Sequence, residues 1–484
     1  MAGDAVLIGL DVGTTSVKAV MLTASGHRLA DFTAIYPTHH TPPNRVEQNP
    51  DDWLRLVTTA LQGFADRADA PMVRAICLTS QVNTHVFVDK ALAVLCPAIV
   101  WQDSRAAAAG ARLDAKVTTA QKIGWLGAPI PIDSSHALAR MAWMKATHPE
   151  IWTATAHVML PRDYLLARLT GAVVADPMSA VGLVTPDLTY AKDLIALLPG
   201  AAKRLAPLQD PLSPAGHIRS GMPFAGVPVI TGMMDAWASL LGLGVASEGQ
   251  AMYLSGTSEV LGLISQTITG APGVITFPRW SGITLHAGPT QAGGASLDWV
   301  ARLLGQPPTT LAASAAPITR HSPLFLPHLQ GERAPLWDAS ARGSFAGLTT
   351  STGPAELAAA VMEGVAFSAR LAMEALQRSG GLIPAQIQTG GGGAASDRWC
   401  QMRADAFGRT FLRVEGHDPG ALGAAVMAGV GAGILPDLAG AATAMIRTDR
   451  VFEPDSQASA LADDRFALWQ QLYAQLRAIN AALA

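Results

Sequence analysis

In the segment Asp11-Val12-Gly13-Thr14-Thr15-Ser16-Val17-Lys18, glycine permits a tight hairpin. Consecutive backbone N–H groups and the Thr14 and Thr15 hydroxyls can then converge on phosphate oxygens. Asp11, at the end of a strand-like run, could hold magnesium through water, because Mg²⁺ takes a carboxylate, retained waters and nucleotide oxygens. A Gly-Thr pair also closes ordinary hairpins. A second turn, Ser255-Gly256-Thr257-Ser258, shifts the balance, since two facing hairpins with hydroxyls are what a bound triphosphate chain requires. No GxxxxGK[ST] pattern occurs, so phosphate binding does not come from a P-loop. Lys18 either adds positive charge behind the first turn or is a solvated strand residue.

A third glycine-rich segment, residues 389–408 (TGGGGAASDRWCQMRADAFG), follows an apolar strand and opens a helix. Its glycines would let a base or ribose lie flat against the backbone, or would make a plain flexible turn. Asp235 follows the apolar run VPVIT close to Gly232, where an open α/β sheet places its ligands. An aspartate in that setting also serves as a surface or capping residue.

These side chains need elements to hold them. The strand-like runs VLIGLDVG, VRAICLTSQ and VPVITGMMDA alternate with longer helical stretches, which is the pattern of α/β architecture. Residues 10–17 (LDVGTTSV) resemble residues 253–260 (YLSGTSEV), displaced by about half the chain. Each copy reads as an apolar strand, a Gly-Thr turn and a second apolar strand. Such a repeat implies a duplicated domain, each half giving one turn to a shared cleft, and divides the chain into residues 1–244 and 245–484. The glycines of residues 242–249 (GLGVASEG) suit a hinge, and equally any helix-to-strand connection.

Bulk properties narrow the class. A chain of 484 residues has room for two domains. Lys+Arg 34 against Asp+Glu 37, a formal charge of -3, gives no surplus for coating nucleic acid, and a small-molecule partner is expected instead. Cys77, Cys96 and Cys400 show neither a disulfide framework nor a CxxC metal site, so a reducing cytoplasm is the expected home. Asp4 stands where a secretion signal would carry basic residues, and the apolar run after it is too short for one. The uncharged stretch 419–436 is dense in glycine and alanine and reads as a closely packed core helix, not a membrane span. The 49% apolar content is compatible with a homodimer.

With DVGTTSVKAV, VEQNPDDW, IVWQDSRA, PRDYLLARLTG, GMMDAWASLLGLGV, SGTS, GGASLDW, GERAPLWD, GGGGAASDRWCQM and PGALGAAVMAGVGAG in this order, the chain resembles the FGGY carbohydrate kinases nearly end to end. Among them it looks most like those acting on xylulose. The resemblance implies an α/β fold of two actin-like, ribonuclease H-like domains with an interdomain cleft, sugar held mainly by the first and ATP mainly by the second. It implies Asp235 as the base that accepts a proton from the sugar hydroxyl, with Asp11 positioning Mg²⁺. Gly13, Thr14, Thr15, Gly256 and Thr257 would orient the ATP phosphates, and Gly294, Gly391, Gly392 and Ser396 match nucleotide-side positions. Closure of the two domains would exclude water and leave only weak ATP hydrolysis without sugar.

Sugar selection in this family depends on the residues after the strand ending near Gln81. Members acting on xylulose carry Gln-Met-His-Gly there and those acting on glycerol Gln-Arg-Glu-Thr; this chain has Gln81-Val82-Asn83-Thr84. Asn83 can donate and accept hydrogen bonds as a polyol requires, and Trp101, Gln102 and Asp103 could add an apolar wall and polar contacts. Asn83 could instead cap a turn, Trp101 could be core, and His85 and His136 read as structural. The expected substrate is a ketopentose, D-xylulose first, with other pentuloses, hexuloses and a tetritol such as erythritol as alternatives. A non-catalytic nucleotide switch like actin or the heat-shock chaperones, or a sugar-responsive regulator, would need a client or DNA-binding segment. The motifs run from residue 7 to about 433, and 464–484 reads as one amphipathic helix.

Overall fold

A computed structural model describes residues 5–67, 70–416 and 418–483. The chain divides into two compact units, Met1–Gly242 with Asp418–Met445, and Leu243–His417 with Ile446–Ala484. Where the repeat places everything after residue 244 in the second half, the segment Asp418–Met445 returns to the first unit.

In the first unit, β1 (Val6–Val12), β2 (Ser16–Thr23) and β3 (Arg28–Ile35) form an antiparallel meander. β4 (Val73–Ser80) pairs parallel with β1. β5 (Pro214–His217) and β6 (Pro228–Ile230) extend the sheet, which runs β5-β6-β4-β1-β2-β3. β1 is buried along nearly its whole length, as expected for a strand covered on both faces. α1 (Pro50–Ala65) starts where the Asn49 side chain accepts the Asp51 N–H, with proline at the first position. Its stripe of Trp53, Leu56, Val57, Ala60, Leu61 and Phe64 shares one core with Leu10, Val12, Val17 and Ile76, each large side chain contributing about 1.5–3 kcal/mol on full burial. α2 (Pro161–Thr170) and α3 (Asp235–Gly242) each follow a strand and carry site residues at their first turns.

The second unit repeats the plan. β7 (Ala251–Ser255), β8 (Glu259–Ser265), β9 (Ile275–Thr276) and β10 (Thr284–Pro289) make the antiparallel part. β11 (Gln386–Gly390) lies parallel to β7, β12 (Thr410–Val414) parallel to β11, and β13 (Thr448–Phe452) closes the edge antiparallel, giving the order β9-β10-β8-β7-β11-β12-β13. Each sheet thus places a β-hairpin beside two parallel strands with an antiparallel edge strand outside them. α4 (Gly294–Leu304), α5 (Pro354–Gly380) and α6 (Asp397–Phe407) pack within this unit.

α7 (Pro419–Gly431) is the glycine- and alanine-rich stretch, buried along most of its length in the first unit. A Cβ on Gly423 would stand 1.7 Å from the Ala238 carbonyl of α3, and one on Gly9 of β1 would stand 1.9 Å from the Ala421 carbonyl. Backbone meets backbone here, which only glycine allows. The core-helix reading of 419–436 holds for α7, and among the described residues no helix is long and apolar enough to cross a membrane. α8 (Ser456–Leu483) is the single long helix expected near residue 464, and buries Phe466 and Trp469 against Phe367 of α5.

Candidate active site

The β1–β2 hairpin closes with Val12 opposite Val17, and the Gly13 N–H donates to the Ser16 carbonyl at 3.1 Å. Asp11, last but one on β1, faces Lys18 across the hairpin. Lys18 is not a free solvated cation; it pairs with Asp418 at 2.9 Å. The Oδ1 atom of Asp11 is buried without a hydrogen-bond partner, and Gly420, at the start of α7, leaves room beside Oδ2 that a Cβ would take at 2.3 Å. Desolvation, then the neighbouring charge of Asp235, pushes the Asp11 carboxyl up to about 7, against the pull of Lys18. Asp235 opens α3 and its Oδ1 accepts the Ala236 N–H at 2.8 Å. Desolvation moves it up to about 6 although that backbone bond favours the anion. A carboxylate at the end of β1 thus feels the charge of a second one at the first turn of α3.

The loop leading to Asp235 is fixed from beneath. Thr79 of β4 donates to the Met233 carbonyl at 2.6 Å, and Arg162 of α2 donates to the Gly232 carbonyl. Arg162 is buried between Asp163 and Asp176, the latter at 2.7 Å. PRDYLLARLTG thus anchors the aspartate loop, a role its sequence gave no means of reading.

The residues expected on the sugar side meet the first turn. Trp101 Nε1 donates to the Thr14 hydroxyl at 3.0 Å, and Gln48 Nε2 to the Thr14 carbonyl at 2.7 Å. Gln81 Nε2 reaches Gln48 Oε1 at 2.8 Å, which makes it a buried support for the turn. Val82 and Asn83 are half-buried; Asn83 takes a left-handed φ of 55, a conformation asparagine tolerates, with Nδ2 3.5 Å from Ser135 Oγ. Asp103 is engaged inward, accepting the Val46 N–H at 2.7 Å and a fork from Arg105. It fixes the loop that carries Trp101 and presents no free oxygen edge. Arg140, which the sequence did not flag, is buried and donates to the carbonyls of Asn83, Ile99 at 2.7 Å and Val100 at 2.6 Å, so one guanidinium ties the Asn83 loop to the Trp101 loop. His85 and His136 are buried and held well below and below the usual imidazole range by desolvation, as structural histidines are.

In the second unit three glycine-rich segments converge on one turn. The Gly256 N–H donates to Ser258 O at 3.1 Å, the Gly294 N–H to Gly256 O at 2.9 Å and the Ala295 N–H to Thr257 O at 3.1 Å. A Cβ on Gly391 would stand 2.4 Å from Ser255 O, and Gly391 itself has a φ of 87, so both space and backbone require glycine. Thr257 points to solvent, and Gly392 has open space around its Cα. Ser396 is occupied in capping α6, accepting the Trp399 N–H at 3.3 Å. Glu332 of GERAPLWD is a buried hub for His328 and Ser368, and Arg333 donates to Thr290 O at 2.7 Å, which favours a supporting role for that motif. Among the described residues no group of three or more His, Cys, Asp or Glu side chains is arranged to hold a metal ion.

Residues 6–242 match the FGGY family of carbohydrate kinases, N-terminal domain, and residues 251–432 match its C-terminal domain. The chain is 31% identical to the xylulose kinase of Escherichia coli over 97% of this chain and 99% of that one. The structure resembles ligand-bound xylulose kinase of Lactobacillus acidophilus with a TM-score of 0.88 and 25% identity, covering 99% and 100% of the two chains. Gluconate kinase from the same organism matches with the same score, identity and coverage. The actin-like, ribonuclease H-like fold of two domains is thereby established, and the nucleotide-switch and regulator readings fall away. The protein belongs to the FGGY family of carbohydrate kinases and is itself a sugar kinase, similar to xylulose kinases.

Proposed function

We propose that the chain transfers the γ-phosphoryl group of ATP to a hydroxyl of a ketopentose, D-xylulose first, with Asp235 as the general base. The supporting observation is that Asp11, at the end of β1 just before the Thr14 turn, feels the charge of Asp235, and that desolvation raises both carboxyls. A base whose affinity for protons lies near neutrality suits proton abstraction from a hydroxyl as it attacks phosphorus. The Ala236 N–H holds Oδ1 of Asp235, which leaves Oδ2 to take the proton. The Gly13 and Gly256 N–H groups are spent closing their own turns, so the phosphate donors are the hydroxyls and N–H groups of Thr14, Thr15 and Thr257. Gly392 leaves open space for the nucleotide, Gly294 and Gly391 let their segments close on the turn 255–258, and Ser396 acts through the helix it caps. The orphaned, buried Oδ1 of Asp11 fits a magnesium ion held with water. When bound, that ion would neutralise charge on the phosphate oxygens.

Gln81-Val82-Asn83 bears on the sugar through Asn83, whose amide suits a hydroxyl-rich ligand, while Asp103 acts by placing Trp101. A gluconate substrate would need a cation for its carboxylate, and Arg140, which donates to the Asn83 carbonyl, is also bonded to the carbonyls of Ile99 and Val100. A neutral sugar fits better. ADP release with Mg²⁺-ATP, measured on pentuloses, hexuloses, erythritol, glycerol and gluconate, tests the assignment beside Asp235→Ala. Turnover of D-xylulose above all others, lost by about 10²-fold or more in the variant, is expected. Preferred turnover of another acceptor would refute the named sugar, and an unaffected variant would refute the base.

A further inference from the structure

We propose that Arg403, together with Glu259, is a positioning residue for the phosphates of ATP. From α6 its guanidinium fixes the spacing between the turn 255–258 and the glycine loop 391–393. The inference rests on the assignment of that turn to ATP. Arg403 has no exposed side-chain surface. Its Nη2 donates to Ser255 Oγ at 2.7 Å and to Glu259 Oε1 at 3.3 Å, while Nη1 donates to the Gly393 carbonyl at 3.2 Å. One planar group therefore holds the residue just before Gly256, the residue just after Ser258, and the glycine loop that packs on Ser255. Trp399 and Tyr253 keep its plane in place, their ring centroids 4.4 and 4.7 Å from Cζ. Gly393 is matched to this arrangement, since a Cβ there would stand 2.1 Å from Ser255 Oγ.

Stability alone does not account for the pair. A buried ion pair returns little over its desolvation cost, and apolar residues of similar volume commonly do as well. This pair is also incompletely satisfied, with Glu259 Oε2 and Arg403 Nε both buried and unpartnered. Its geometry instead serves the two loops. A phosphate cradle made of backbone N–H groups and a hydroxyl loses its function when its walls shift by about 0.5 Å, so a rigid fork between the walls is what such a cradle needs.

The test compares Arg403→Met, Arg403→Lys and the double variant Arg403→Met/Glu259→Leu with the parent. Michaelis constants for ATP and sugar, ADP binding by calorimetry, and the thermal midpoint of unfolding are the readouts. Expected for Arg403→Met is a rise of about tenfold or more in the ATP constant and in the ADP dissociation constant, with the sugar constant changed by less than about twofold. Arg403→Lys should fall between. The double variant, which leaves no buried unpaired charge, should regain the parent's thermal midpoint without regaining ATP affinity. If it regains both, or if the two Michaelis constants move together, Arg403 is only structural and the proposal fails. Should Arg403→Met not fold, the lysine and double variants decide the matter on the same readouts. Thr257→Ala separates the premise from the inference. No loss of nucleotide affinity in that variant would remove the assignment of the turn and this proposal with it; a loss there but not in the Arg403 variants would overturn the clamp alone.

Discussion

At the residue scale, the carboxyls of Asp11 and Asp235 are held in an environment that disfavours their charged forms. For Asp235 the consequences for activity and stability have opposite signs. The base role proposed for Asp235 requires the anion, so on that proposal kcat/KM should fall about tenfold per pH unit below about 6, a limb that a stopped-flow pH profile would reveal. Stability runs the other way. Because the folded-state carboxyl lies above its ordinary value, its contribution is fully present below about pH 4 and is lost as pH rises through about 6. Asp235→Asn should therefore raise stability at pH 8 by about 1–2 kcal/mol and give no gain at pH 4, read from urea unfolding at the two pH values. Arg162→Met should cost about 3–5 kcal/mol, since Asp163 and Asp176 would be left buried without their cation. Asp11 and Thr14 could be singled out in the sequence because a Gly-Thr turn and a strand end restrict what such residues can do; Asp235 was singled out through the family resemblance, since its position alone also suits a capping residue. Arg140, Arg162 and Arg403 were not, because a single arginine in a helical pattern has the signature of a solvated face until its partners, far away in sequence, are known.

At the element scale, the glycines of the first unit fall into two physical kinds. Gly9 and Gly423 are contact points where β1, α3 and α7 touch through their backbones. Gly423→Ala or Gly9→Ala should destabilise by roughly 2–4 kcal/mol in urea titrations, because the neighbouring atoms belong to backbone that cannot yield. Gly63, exposed near the end of α1 with nothing within 4 Å of the space a Cβ would fill, is the opposite case. Gly63→Ala should stabilise by roughly 0.5–1 kcal/mol. The sequence made both hairpins and their repeat readable, since each combines apolar strands with a Gly-Thr turn. It also showed that 419–436 packs closely. It could not show against what, because small residues report the closeness of a contact and not the identity of the partner.

At the scale of the whole molecule, the chain passes from the first unit to the second, back to the first, and out to the second again. A division at mid-chain was the natural reading of the repeat, and the returning segment Asp418–Met445 had no signal to set against it. Residues 1–242 alone would lack α7, which shares backbone contacts with β1 and α3. That fragment should show no cooperative unfolding transition by tryptophan fluorescence, whereas the same fragment joined through a flexible linker to residues 418–445 should recover one. The consequence reaches protein synthesis. A ribosome that has made residue 242 must add roughly 190 more before α7 is complete, roughly 10–40 s at ~5–20 residues per second. Through that interval the nascent first unit carries an uncovered apolar face beside its sheet, so chaperone supply during translation should govern the yield of active enzyme more than the stability of the finished fold does.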